Sequence, residues 1–141
     1  MGVIQSSVDS SFHYTNFKSL KRWLIATITD ESFSCGDVSI IFTSDLYLLE
    51  LNKKHLQHDY FTDVLTFDYS TEKTVSGDIF VSIDRVSENA DLFDVEFLKE
   101  LDRVIIHGVL HLIGYEDSDD TKRSLMRARE DYYLEKRNSF R

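Results

Sequence analysis

A chain of 141 residues with 42% hydrophobic composition falls in the size range of one domain and can bury one continuous core, so a single domain over residues 1–141 is expected. No apolar run approaches the roughly 18–20 residues of a membrane span, the N-terminal MGVIQSSVDSSF lacks a basic segment followed by an apolar one, and Cys35 is the single cysteine. A cytoplasmic protein with no membrane partner is expected, a disulfide within the chain and a cysteine zinc knuckle are excluded, and any metal must be held by His and carboxylates. The formal net charge of −9, from 25 acids against 16 bases, argues against a protein that coats nucleic acid electrostatically. Residues 121–141 nevertheless hold seven bases and three acids, a local +4 that leaves −13 elsewhere.

In chain order, VIQSSV (3–8) predicts a short strand. Phe17, Leu20, Leu24 and Ile28 recur at helical spacing through TNFKSLKRWLIATITDE, with Thr15 or Asn16 as the cap. DVSIIFTS (37–44) is β-branched and apolar, as a buried strand should be, and DLYLLELNKKHL (45–56) follows Ser44 as a capped helix. TDVLTFDY (62–69) and GDIFVSID (77–84) are two more strands, which STEKTVS joins as a hairpin. From Asp84 the pattern is helical: RVSENADLF (85–93), then DVEFLKELDRVIIHGVLHLIG (94–114), then DDTKRSLMRAREDYYLEKR (119–137). Gly114 ends the middle one and Ser118 or Asp119 caps the last. That basic last helix is expected to be solvated and laced with intrahelical ion pairs.

His107 and His111, at i and i+4 on the longest helix, can aim both imidazoles at one cation. Two histidines on an apolar helix face can also be hydrogen-bonded core residues. Gly114 allows a sharp turn, and Asp117 then falls where HxxHxxGxxH-type zinc sites place a third ligand, giving HxxxHxxGxxD. Two imidazoles and one carboxylate form a catalytic zinc set with an open position, although Fe, Mn or Ni also suit it. Asp117 is the expected third ligand, with Glu116, Asp119 and Asp120 as rivals in the same acidic run. The second position of an HExxH protease, where the general base would stand, is Gly108, which disfavours a peptidase. Gly108 either leaves space beside the metal or permits close helix packing.

With these residues in place, the sequence resembles the YbeY family of bacterial endoribonucleases, whose signature runs HGxLHLxGYDH. His107, Gly108, Leu110, His111, Leu112, Gly114 and Tyr115 match it, with Glu116 at the family's Asp and Asp117 at its third metal-binding His. Upstream, LNKKHLQHDYFTDVLTFDY resembles LNxxYRGxDxPTDVLSF, and SGDIFVSID resembles the GDIxI strand; together these cover most of residues 45–120. The resemblance implies an α+β fold, a small mixed β-sheet of about four strands flanked by helices, with a zincin-like metal helix. It also implies single-strand-specific, metal-dependent RNA cleavage in 3′-end maturation of ribosomal RNA. The partners implied are ribosomal RNA or its precursor and the ribosomal small subunit or its proteins.

Two departures bear on catalysis. Asp117 in place of a histidine lowers the charge of the centre by one unit, which should weaken phosphate attraction and make bound water less acidic. The family's arginine in YRG aligns with Leu56, so another group must neutralise the phosphate. Candidates are His58, Lys53, Lys54 and above all Arg103, which lies four residues before His107 on the same helix side. Arg103 and His58 are therefore the expected catalytic residues, beside a divalent ion, zinc by its ligands, on His107, His111 and Asp117. Arg103 can equally be an ordinary salt-bridge partner. The alternative to an enzyme is a ribosome-assembly factor whose metal is structural and whose basic helix touches RNA without turnover.

Overall fold

The computed structural model describes residues 2–56, less the side chain of Leu56, and residues 62–141. Four strands, β1 (Gly2–Val8), β2 (Ser34–Thr43), β3 (Val64–Asp68) and β4 (Thr74–Ser82), form one sheet in the order β1-β2-β4-β3. β1 with β2 and β2 with β4 are parallel, whereas β3 and β4 form the antiparallel hairpin expected from TDVLTFDY and GDIFVSID. Five helices complete the fold: α1 (Phe17–Asp30), α2 (Asp45–Leu56), α3 (Ile83–Phe93), α4 (Phe97–Ile113) and α5 (Asp120–Glu135), followed by a 3-10 turn at Arg137–Phe140. The architecture is the α+β arrangement with a mixed four-stranded sheet that the sequence leads one to expect.

The pleat of β4 divides the molecule. Val75, Ile79 and Val81 are buried with the α1 and α4 side chains Leu20, Trp23, Leu24, Leu101, Ile105 and Leu110 in one hydrophobic cluster. Phe80 points the other way and meets Tyr47 of α2 and Phe67 of β3 at ring-centroid distances of 6.4 and 5.7 Å. α4 is apolar around most of its circumference because it is covered by the sheet, α1, α3 and α5. Between Glu100 and Leu112, only a narrow stripe bearing Arg103, His107 and His111 is left half-buried.

Gly108 lies against the sheet rather than beside the candidate metal-binding residues. A Cβ built there would stand 2.8 Å from Cγ2 of Ile79 and 3.4 Å from Cγ2 of Thr66, so the missing side chain sets how closely α4 can approach β4. Of the two roles open to it in the sequence, the structure selects close packing.

The basic tail departs from its expected character. Arg127 and Arg123 do make i,i+3 pairs with Glu130 and Asp120, but Arg129 reaches across to Glu31, the residue just after α1, at 2.9 Å. Arg137 is only 3% exposed. Its guanidinium donates to Ser19 Oγ (2.7 Å) and the Tyr14 hydroxyl (3.0 Å), lies 3.2 Å from Asp102 Oδ2, and sits 5.2 Å from the Trp23 ring. Arg141 adds a second pair to Asp102 at 2.9 Å. Much of the local positive charge thus holds the C-terminal segment to α1 and α4; a buried, unpaired guanidinium would be far too costly to persist.

Candidate metal centre

α4 carries His107 and His111 one turn apart, and their Nε2 atoms face each other at 2.9 Å. Gly114 adopts φ +125°, a backbone setting that favours glycine, and the N–H groups of Gly114 and Tyr115 both bond back to the Leu110 carbonyl, at 3.1 and 3.0 Å. The chain therefore reverses over the end of α4. Asp117 returns to the histidines, with Oδ2 at 3.3 Å from each Nε2. Asp119 caps α5 by accepting from Lys122 N at 2.8 Å, Asp120 pairs with Arg123, and Glu116 lies 3.2 Å from Lys122 Nζ. The acidic run is thus sorted as the sequence suggests, with Asp117 at the histidines and Asp119 at the cap.

Each imidazole is fixed from behind by an acceptor. His107 Nδ1 donates to Glu130 Oε2 of α5 at 2.6 Å, and His111 Nδ1 donates to the Tyr115 carbonyl at 3.0 Å. Neither partner can donate when Glu130 is ionised, so both rings carry the proton on Nδ1 and present the Nε2 lone pair. Burial opposes ionisation of Glu130, but its hydrogen bonds with His107 and Arg103 outweigh burial and hold the carboxyl below its usual range. Burial likewise opposes protonation of both histidines. For His107 the Glu130 hydrogen bond and charge overcome it and raise the pKa, whereas for His111 the charge that His107 carries when protonated adds to burial and lowers it.

Two imidazole nitrogens and a carboxylate oxygen converging at 2.9–3.3 Å repel one another unless a proton or a metal ion lies between them. For a tetrahedral ion with ligand bonds of ~2.0–2.1 Å, ligand-to-ligand edges are about 3.3–3.4 Å, so the donor atoms already stand close to that spacing. Imidazoles backed by a carboxylate and a carbonyl are also the usual outer environment of zinc-ligating histidines. The residues fit a metal of the zinc class.

Arg103 occupies the same side of α4 as His107, but its guanidinium is engaged: Nη1 donates to Glu130 at 2.8 Å and Nη2 to Asp131 at 2.7 Å. It lines, with His107, Asp117 and Glu130, a cleft of about 710 Å³ that runs between α3, α4 and α5. His58 lies outside the described residues. Lys53 is 3.8 Å from Glu50, and the exposed His55 ring packs edge-on to Phe67 at 5.7 Å; neither lines the cleft. Sequence reading missed Glu130, which is 23 residues from the histidine it orients. Its one visible sign is its place on the inward side of α5, four residues after the buried Met126.

A family model described as Endoribonuclease YbeY matches residues 4–138. The chain is 46% identical over 132 residues to the Endoribonuclease YbeY of Flavobacterium psychrophilum, covering 94% of each, and 42% identical over 129 residues to that of Flavobacterium johnsoniae, covering 92% of this chain and 93% of the relative. The solution structure of TM1509 from Thermotoga maritima superposes with a TM-score of 0.64 at 32% identity, over 95% of this chain and 89% of that one.

Proposed function

This chain belongs to the YbeY family of endoribonucleases, a membership that supports a role in ribosomal RNA maturation, and from it we propose a metal-dependent enzyme that hydrolyses single-stranded RNA near the 3′ end of ribosomal RNA precursors. The observation that carries the metal assignment is the convergence of His107 Nε2, His111 Nε2 and Asp117 Oδ2, with both Nδ1 atoms tied to acceptors. Zinc is the ion the donor set suits, and when bound it would supply Lewis-acid polarisation of a phosphodiester and a more acidic water.

The chain's own residues do the rest. Glu130 and the Tyr115 carbonyl fix ring orientation and tautomer. Arg103 is the phosphate group's partner in this reading: Glu130, nearly buried, keeps hold of Nη1, while Asp131, whose side chain is 55% exposed, can release Nη2 to a phosphate oxygen. His58 is the second proposed phosphate contact. The same reading takes residues 1–141 as a single domain, the ribosomal small subunit or its proteins as a partner, and the cytoplasm as the site of action; no described helix is long and apolar enough to cross a membrane. The non-catalytic assembly factor is not favoured. Zinc content of the purified protein, and cleavage of ribosomal RNA precursor by wild type and His111→Ala, test the proposal; activity that survives metal loss would sink it.

A further inference from the structure

Beyond the candidate metal centre the cleft continues towards α3, and one wall there carries an acid with no protein partner among the described residues. Glu100 stands seven residues before His107, two turns along the same face of α4 and about 10.5 Å along the axis at 1.5 Å per residue. It is 6% exposed and lines the cleft, yet no described group hydrogen-bonds or pairs with its carboxylate. Its oxygens are not among the wholly buried side-chain atoms left without a partner, so they open onto the cleft, where donors of a ligand can reach them. The same cleft is lined by Asp63, which accepts from Asn89 Nδ2 at 3.3 Å, and by Phe93, which is 57% exposed. An acceptor and an exposed aromatic ring in one cleft, about 10.5 Å of helix away from His107, are the parts that read an unstacked base.

We propose that this end of the cleft is a nucleobase subsite that takes an unpaired guanine beside the scissile phosphate, with Glu100 reading its Watson–Crick edge and Phe93 stacking on its face. The subsite rests on the endoribonuclease reading for its place in the reaction. Guanine is the base whose edge offers two adjacent donors, N1–H and the N2 amine, to the two oxygens of one carboxylate. Uracil offers a single N–H between two carbonyls, and adenine and cytosine set an acceptor nitrogen beside their amine, which would face Glu100 oxygen to lone pair. Burial, followed by the nearby Asp63 charge, raises the Glu100 pKa, while Arg103 and Arg127 oppose that rise from the α4 and α5 sides. A ligand that donates two hydrogen bonds relieves the same burial cost.

The test is equilibrium binding of fluorescently labelled five-nucleotide RNAs, UUXUU with X as guanosine, inosine, adenosine, cytidine or uridine, to the full chain. The guanosine oligomer is expected to bind on the order of 10-fold more tightly than the uridine one, inosine to lose most of that margin, and Glu100→Gln to reduce the preference to within roughly two-fold. Oligomers that bind alike, or not at all, overturn the proposal, as does a guanosine preference that persists in Glu100→Gln. Inosine tests the contact without any protein variant, so a Glu100→Gln chain that fails to fold does not block the answer. Cleavage of the same oligomers separates the two readings: a guanosine preference in binding without any cleavage removes the nuclease reading and leaves the subsite, whereas cleavage indifferent to X leaves the nuclease and removes the subsite.

Discussion

Glu130 on α5 and His107 on α4 are joined by a 2.6 Å hydrogen bond to the ring nitrogen that faces away from Asp117. The same carboxylate receives Arg103, so one buried acid serves both a proposed metal ligand and the proposed phosphate contact. Replacing it with glutamine keeps the shape and removes the charge that favours Nδ1–H on His107. Zinc affinity, measured by competition with a chromophoric chelator, is expected to fall 10–100-fold, while the far-ultraviolet circular dichroism stays that of the folded chain. Unchanged affinity would show that Glu130 does not orient the ligand.

Asp117→His restores the third imidazole of the family signature and raises the charge at the centre by one unit. The variant is expected to keep one zinc per chain and to cleave single-stranded RNA several-fold faster at neutral pH. Removing the ion with a chelator should abolish cleavage in both forms. A variant that binds zinc but cuts no faster would mean that charge at this position does not limit the reaction.

Gly108→Ala should destabilise the fold although alanine is the better helix former. The gain in propensity is about 1 kcal/mol, but the added Cβ would lie 2.8 Å from a buried β-branched methyl of Ile79, and overpacking of this kind costs about 1–3 kcal/mol. The urea midpoint is expected to fall with no change in slope. A higher midpoint would show that α4 can lift away from β4 at little cost.

Glu31 makes a prediction about acid. Burial works to raise its pKa, but hydrogen bonds from Tyr133 and Tyr115 and the charge of Arg129 more than reverse that, so the folded value lies below the ordinary one. A depressed carboxyl contributes stability that is fully present above its unfolded pKa, about 4.3, and is lost as pH falls through the folded value. The difference in Tm between wild type and Glu31→Gln should therefore hold from pH 7 to 5 and close below about pH 4. A gap that widens on acidification would contradict the assignment.

The parts legible in the sequence are those written in local spacing. The pair at i and i+4, the glycine after it and the acid beyond specify a helix face, its end and a return, and the donor atoms of all three candidate ligands come together in the structure. The hairpin, the Ser44 cap, with Oγ accepting from Tyr47 N at 3.1 Å, and the Asp119 cap are local in the same way. The start of β2 at Ser34 was not legible, because the register shift between Cys35 and Val38 interrupts the period-2 pattern that marks a strand. Arg137 and Glu130 were illegible for another reason. Each is a charged residue in the charged C-terminal stretch, and what distinguishes it is a partner far away in the chain: Asp102 and Tyr14 for one, His107 for the other.

The insertion of β4 between β2 and β3 carries a consequence for the order in which the chain folds. The β3–β4 hairpin closes a short loop and can form in microseconds. Joining it to β2 requires parallel pairing across a long intervening segment, Ser39 meeting Asp78, and β1 must then find β2 from as far away, Val3 meeting Val38. Loop-closure entropy is spent before those contacts repay it. Refolding from denaturant should accordingly be slow for a domain of this size, with the hairpin protected from hydrogen exchange before β1, and the open side of β4 is the surface most exposed to mispairing in the interval.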